Sequence, residues 1–224
     1  MKNYILKFLT LLTFIFLILI VYLSTLGIET ERFNNQIKNR IIKTNKNLDL
    51  DLDLKKIKLI LDPFDLKIYA KTVGPTVLFL KNSLPLEYIK SEVSLNSLIK
   101  NKIVSSNIEI RTKSILLNDI IKFIKATNNS SELIILQKII KKGHIILDLN
   151  FNIDDDGKIK NDYQIKGLIK DANINLLNKK KFEGINFNFN IKKDNYSFDK
   201  IKFDTEKIKF ISENINIKKI KNYF

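Results

Sequence analysis

Three aspartates spaced two residues apart are the first candidates for chemistry in this chain. Asp49, Asp51 and Asp53 alternate with leucines, and close carboxylates are the ligands that Ca²⁺ and Mg²⁺ prefer. On one face of a strand, however, such residues lie about 7 Å apart, and no glycine loop folds them around an ion. The acidic run 154–156 before Gly157 lacks the D-x-D-x-D-G spacing and the twelfth-position glutamate of an EF-hand. The sequence therefore predicts solvated carboxylates and no metal site.

The residue types that catalysis requires are scarce. His144 is the only histidine, the chain has no cysteine, and no serine or cysteine nucleophile motif stands near His144. The six glycines form neither a G-x-G-x-x-G motif nor a P-loop. We therefore expect no enzymatic activity, no catalytic residue and no cofactor.

The formal net charge of +15 invites comparison with nucleic-acid-binding proteins. Arginine favours bidentate recognition of bases and phosphates, but it occurs only at Arg32, Arg40 and Arg111. The lysines are scattered along the chain rather than gathered in one block. This pattern favours solvated faces and attraction to anionic lipid headgroups, and it predicts no nucleic-acid partner.

The N-terminus carries the strongest signal for location. Lys2 and Lys7 precede an uncharged apolar run at 8–26, and a helix of about 20 apolar residues spans a bilayer core. Signal peptides have shorter apolar regions and a small-residue cleavage site of A-x-A type. We therefore expect an uncleaved anchor, with the following anchor residues: Phe8, Phe14, Phe16 and Leu26. The positive-inside rule predicts a cytoplasmic N-terminus, and the lack of disulfides favours a bacterial inner membrane with the bulk of the chain periplasmic.

Beyond the anchor, helical spacing gives way to strand spacing. Phe33, Ile37 and Ile41 form one apolar stripe of a helix expected over 29–44. From Leu48 to Leu54 leucine alternates with aspartate, which predicts a strand with one apolar and one polar face. The same alternation returns from His144 onward, in strands separated by turns rich in Lys, Asn, Asp and Gly.

Two amphipathic helices are expected between these β regions. Ser114 is a candidate N-cap for the first helix, whose apolar face would comprise Leu117, Ile120, Ile121 and Ile124. The second helix has a capping-box pattern at Asn129 and Glu132, and its inward residues would be Leu133, Leu136, Ile139 and Ile140. Lys141 and Lys142 suit its last turn, and Gly143 suits the position after it.

These patterns predict an α+β chain that is mainly antiparallel β. A transmembrane helix would be followed by an elongated curled sheet, a β-groove, with two or three amphipathic helices. The predicted segments are a cytoplasmic tip with the anchor, a juxtamembrane helix, a first β segment, a helical hairpin and an antiparallel β segment, at 1–28, 29–45, 46–113, 114–143 and 144–224.

The apolar strand faces must be covered by something. One option is a closed sandwich or barrel with the helices at one end. The other is an open trough that holds acyl chains, since exposing each CH₂ to water costs about 0.8 kcal/mol. The predicted lining residues of such a trough are Leu48, Leu50, Leu52, Leu54, Ile145, Leu147, Leu149, Phe151, Phe187 and Phe189.

The order of these elements resembles the N-terminal region of the AsmA-like family of Gram-negative envelope proteins, whose relatives include YhdP and TamB. The resemblance is carried by the anchor, the 33–41 helix, the alternating strand at 48–61, the short segment 96–102 (NSLIKNK) and the strand 163–172 (YQIKGLIKDA). It implies a β-groove and a role in phospholipid transport between membranes or in outer-membrane assembly. The implied partners are membrane phospholipids and other envelope proteins.

The family has no catalytic motif to transfer. Its members are usually much longer than 224 residues, so we do not expect this chain to bridge a periplasm alone. The alternative hypothesis is an anchored structural or assembly protein with a closed β-fold and no lipid path, binding partners through a strand edge.

Overall fold

A large antiparallel sheet dominates the protein in the computed structural model, which describes residues 2–32, 34–35, 50–95, 105–128, 130–153, 160–176 and 180–219. Its strands are β1 (Ile28–Thr30), β2 (Leu50–Asp53), β3 (Ile57–Asp62), β4 (Lys67–Val73), β5 (Thr76–Phe79), β6 (Asn82–Ser94), β7 (Ser105–Thr112), β8 (Ile115–Leu116), β9 (Ile140–Asn152), β10 (Gln164–Leu176), β11 (Lys180–Lys192), β12 (Asn195–Asp204) and β13 (Lys209–Lys218). The helices are α1 (Lys2–Thr25), α2 (Leu117–Thr127) and α3 (Ser131–Ile139).

The main path of the sheet follows the chain with few crossovers. Its order is β1-β3-β4-β6-β7-β9-β10-β11-β12-β13, while β2 and β5 form a branch on β6, and β8 pairs with β9. Within the described residues the sheet does not close, because β1 and β13 lie at its opposite edges. The expectation of a mainly antiparallel β protein behind an apolar N-terminal helix is confirmed, whereas a closed barrel or sandwich does not describe this sheet.

The helix α1 is apolar on all sides. Its stretch Asn3–Thr25 has a mean hydropathy of 2.6 and no buried residue in its most apolar window, so it is long and apolar enough to cross a membrane. The hydroxyls of Thr10, Thr13 and Thr25 donate to carbonyls four residues earlier, which satisfies them within the helix as a lipid environment demands. A signal sequence at an N-terminus meets the same length and composition test.

The buried core lies where α2 and α3 pack on the sheet. Leu117, Ile120 and Ile121 of α2 are each 6% exposed, because their helical spacing places them on one side. They contact residues of β8, β9, β10 and β11, namely Ile115, Ile140, Ile145, Ala172 and Ile185. Of the apolar residues expected on one face of α2, Ile124 is the exception to this burial, because it is 42% exposed.

The boundaries of α2 differ from those expected. The N-cap is Leu116 rather than Ser114, and it makes no side-chain cap hydrogen bond. The chain stays extended for two further residues because Ile115 pairs with Ile145 and Leu116 with His144. Sheet pairing therefore overrides the local capping signal at Ser114.

The second helix also ends earlier than expected. α3 stops at Ile139, and Ile140 already pairs with Ile174 in the sheet. Lys141, Lys142 and Gly143 consequently belong to β9 and not to a helix terminus. Leu136 is 39% exposed, so it is not a core residue, whereas Leu133 and Ile139 do pack on the core. At the start of α3, hydrogen bonds from the backbone N–H of Glu132 and from Ser130 lower the pKa of the Glu132 carboxyl; Asn129 lies outside the described residues.

The juxtamembrane region begins as a strand. Glu29 and Thr30 lie in β1, opposite Lys58 and Ile57 of β3, whereas the sequence predicts helix from residue 29. Most of the predicted helix, at 36–45, lies outside the described residues.

Candidate functional site

The register of the sheet places apolar residues of successive strands side by side. Ile110 pairs with Leu149, Leu149 with Ile165, and Ile165 with Ile191. Directly opposed residues in antiparallel strands share a face, so these pairs continue as a row. The complete row runs Thr30, Ile57, Thr72, Ile89, Ile110, Leu149, Ile165, Ile191, Tyr196 and Ile217.

Neighbouring rows extend this surface, which we call the apolar face. One row consists of Ile28, Leu59, Ala70, Ser91, Ile108 and Phe151. Another consists of Leu147, Gly167, Phe189, Phe198 and Ile215. The apolar face is therefore continuous from the strand next to α1 to the last described strand, because alternation within each strand coincides with pairing between strands.

The opposite side of the sheet, the polar face, carries charged side chains that pair with partners on neighbouring strands. Lys67 lies 3.4 Å from Glu92, which raises the pKa of the Lys67 ammonium. Arg111 contacts Glu87 at 2.9 Å and Asp148 at 3.5 Å. Lys71 lies over the ring of Tyr88, 4.5 Å from its centroid. Such exposed pairs contribute little stability each, and they keep this side of the sheet solvated.

Part of the apolar face is covered by helices. α2 contacts β6 and β9, and α3 contacts β9 and β10. The covered end consists of the residues packed beneath them, Ile115, Ile145, Ile169, Ala172, Ile185 and Phe187. Ile145 is 8% and Ala172 is 2% exposed, so the contact is dry.

Another part of the apolar face, the open stretch, is only half-buried. It consists of Ile108, Ile110, Leu149, Phe151, Ile165 and Ile191. Among the described elements, α2 and α3 lie over the other end of the same strands. These six side chains thus lie side by side along the sheet and are each partly exposed, which makes the open stretch a shallow apolar surface.

Aromatic rings carry the apolar face on to β13. The ring of Phe187 lies 5.9 Å from that of Phe198, and Phe203 stacks on Phe210 at 4.7 Å. Gly167 makes room for the ring of Phe189, because a Cβ on Gly167 would fall within that ring. An isolated glycine in an alternating strand indicates such close approach, and this signal was available in the sequence.

The predicted lining residues fall into two groups. Those of β9 and β11, namely Ile145, Leu147, Leu149, Phe151, Phe187 and Phe189, all lie on the apolar face. Leu50 and Leu52 belong instead to β2, which pairs with β5 on the branch, and Leu52 is 6% exposed. Leu54 is half-buried just after β2, and Leu48 lies outside the described residues. Ile108, Ile110, Ile165 and Ile191 were not predicted as lining, although each alternates with polar neighbours.

The predicted anchor residues lie at or beside α1. Phe8, Phe14 and Phe16 are 66%, 61% and 59% exposed, and Leu26 in the turn after the helix is 61% exposed. Among the described residues nothing packs over these side chains, as expected of a helix surrounded by lipid or of a signal sequence.

The other residues considered for chemistry do not converge. His144 is exposed in β9, opposite Lys170 and Leu116. Asp51 and Asp53 lie in β2, while Asp49 and the acidic run 154–156 are outside the described residues. In the part of the chain that the structure describes, no three His, Cys, Asp or Glu side chains are placed to hold a metal ion.

Comparison with known proteins adds no family assignment. No protein-family model matches the chain, and no curated protein matches it. The resemblance to AsmA-like proteins therefore stays a prediction from sequence pattern.

Proposed function

We propose that this is a membrane-anchored envelope protein that binds phospholipid acyl chains on the open stretch of its apolar face and takes part in lipid movement between membranes or in outer-membrane assembly. The observation that supports this most directly is the continuity of the apolar face, from the strand joined to α1 through the half-buried row Ile110, Leu149, Ile165 and Ile191. An apolar row that the described helices leave uncovered at the open stretch suits chains that slide, because no single pocket fixes them.

The dimensions suit a lipid tail. The main path has ten strands, and strands lie about 4.8 Å apart, so the apolar row is on the order of 45 Å long. Each CH₂ that the row shields from water contributes about 0.8 kcal/mol. The open stretch crosses β7, β9, β10 and β11, a length on the order of 15 Å along the row, which is enough to shield part of one acyl chain.

The arrangement at the N-terminus would place the apolar face next to the inner membrane, from which it could receive phospholipid. In the proposed topology α1 spans the inner membrane with Lys2 and Lys7 in the cytoplasm, and the sheet lies in the periplasm. β1 follows α1 after only two residues, and Gly27 adopts a φ of +68° between them. The short connection would hold one edge of the apolar face at the bilayer, and the solvated polar face would remain in water.

The proposal is tested by the phospholipid that co-purifies with the full chain. Leu149→Asp places a carboxylate in the open stretch, and we expect it to lower the bound phospholipid several-fold, because an ionised group in an acyl-chain site is costly to desolvate. Asn150→Asp is the matched control, since Asn150 is the next residue of β9 and lies on the polar face opposite Glu109 and Gln164.

The two variants are compared by mass spectrometry of extracted lipid, with circular dichroism as the check on folding. Equal phospholipid content in both variants and the unsubstituted chain would contradict the proposal. Should Leu149→Asp lose its β signal, the milder Ile191→Asn takes its place, with Asn190→Asp as its control.

The assembly alternative has weaker support. It was formulated for a closed β-fold, and the described sheet is open. Its remaining support is β13, an edge strand in which Ile211 and Ile217 are 70% and 54% exposed. A chain that carries no phospholipid but retains a protein partner at β13 would favour this alternative.

A further inference from the structure

The turn between β3 and β4 presents apolar side chains that no described part of the chain covers. Phe64 is 96% exposed and Leu66 is 60% exposed. A fully exposed phenylalanine at a turn tip is unfavourable in water. Phe64 lies in the turn and belongs to neither the polar face nor the apolar face of the sheet.

The turn holds these side chains outward by well-defined hydrogen bonds. The Asp62 carboxylate accepts the N–H of Phe64 at 3.0 Å and the N–H of Asp65 at 3.1 Å. Pro63 fixes its own φ, and the Leu66 carbonyl accepts the N–H of Leu95 at 2.8 Å. Phe64 is therefore presented by a rigid turn rather than by a loose loop.

The register of β1 and β3 places this turn at the end of the sheet to which α1 is attached. Ile28 pairs with Leu59 and Thr30 with Ile57. Because β1 and β3 are antiparallel, the end of β1 that is joined to α1 lies beside the end of β3 that leads to Asp62.

Direct contact between α1 and β3 supports this placement. α1 packs against β3, and a Cβ on Gly27 would contact the Leu59 carbonyl and the Ile60 side chain. Near the end of α1, Ile20, Leu23 and Ser24 are half-buried while the rest of the helix is exposed. The last turns of α1 thus lie against β3, the strand that leads into the β3–β4 turn.

We propose that the β3–β4 turn inserts Phe64 and Leu66 into the interface of the same phospholipid bilayer that α1 spans, which gives the sheet a second membrane contact. The inference rests on the proposed function in one respect, that α1 is a membrane anchor. Interfacial segments bury their apolar side chains about 5–10 Å into the headgroup and acyl boundary. Asp62 satisfies the turn internally, and the Asp65 carboxylate lies 3.8 Å from the Lys67 ammonium, which suits the polar headgroup layer.

Two membrane contacts would fix the orientation of the sheet relative to the bilayer, which a single helix cannot do. A lone helix leaves the sheet free to rotate about the connection after α1. An inserted turn beside it would hold β3 and β4, the second and third strands of the main path, at a constant depth and orientation. The start of the apolar face would then stay at the lipid surface.

The chain has no natural cysteine, so a single introduced thiol can report depth. Phe64→Cys is labelled with the environment-sensitive fluorophore NBD in the full chain, reconstituted into vesicles of phosphatidylethanolamine and phosphatidylglycerol with nitroxide-labelled lipid. Leu80→Cys is the matched control, because Leu80 is also 60% exposed in a tight turn but lies at the opposite end of β6 from the turn's partner Leu95. Phe16→Cys in α1 reports on the anchor itself.

We expect nitroxide lipid to quench the probes at 16 and 64 by about twofold or more, and to leave the probe at 80 nearly unchanged. A probe at 64 that is as bright as the probe at 80, while 16 is quenched, would overturn the inference and leave the anchor intact. A probe at 80 quenched as strongly as 64 would also overturn it, because the dye alone would then explain the signal. An unquenched probe at 16 would contradict the anchor and, with it, both proposals.

Discussion

The covered end and the open stretch of the apolar face share the strands β9, β10 and β11 but differ in what lies over them. At the covered end Ile145 is 8% exposed beneath α2 and α3, whereas Ile165 of the open stretch is half-buried. Both have the same pattern of apolar residues alternating with polar ones. The difference teaches that alternation specifies a face, while the cover decides whether that face becomes core or stays partly exposed.

The largest expected effect is at the covered end. Gly143 has a φ of +130°, and a Cβ there would lie 2.7 Å from the Ala172 backbone and 2.8 Å from Leu117. Gly143→Ala should therefore lower the free energy of unfolding by about 3 kcal/mol or more, because the backbone neighbour cannot move aside. The measurement is urea unfolding of the full chain in detergent, followed by circular dichroism.

Gly184→Ala is the control for the backbone conformation alone. Gly184 has a φ of +59°, and no heavy atom lies within 4 Å of the Cβ position. It should cost only about 1–2 kcal/mol. Equal losses at both glycines would mean that the contact between β9, β10 and α2 is not tightly packed.

The difference between two isoleucine substitutions, one in each region, is a smaller quantity that compares the two regions directly. Ile145→Ala removes side-chain volume beneath the helices and should cost about 3 kcal/mol, whereas Ile165→Ala in the open stretch should cost about 1 kcal/mol. The residue types are identical, so the difference reports the cover alone. The same unfolding experiment measures both, and equal losses would show that a further layer lies over the open stretch.

The sequence predicts the faces of the strands well because a strand has a period of two. Leu149 and Phe151 share the apolar face as their spacing requires. Which strands pair with each other could not be predicted from the sequence, because pairing depends on residues far apart in the chain, such as Ile110 and Leu149. The alternating run at 48–54 is the most regular of all, yet its described strand β2 joins the branch with β5 rather than the main path.

Local signals for helix ends were overridden by the sheet. Gly143 follows two lysines, which suits a helix terminus, but the pairing of Ile140 with Ile174 extends the strand through it. A glycine is needed at position 143 because the backbone there lies too close to Ala172 to leave room for a Cβ atom. A local motif contributes about 1 kcal/mol, which a ladder of backbone pairs and a buried cluster readily exceed.

Site-specific photo-crosslinking tests the central claim most directly. A benzophenone side chain is introduced at Leu149, Ile165 or Ile191 in the open stretch, and at their polar-face neighbours Asp148, Gln164 or Lys192 in parallel. After irradiation in membranes, we predict phospholipid adducts at the first three positions and not at the second three, as read by mass spectrometry. Equal lipid yields on both faces, or adducts only to protein in the open stretch, would contradict the account.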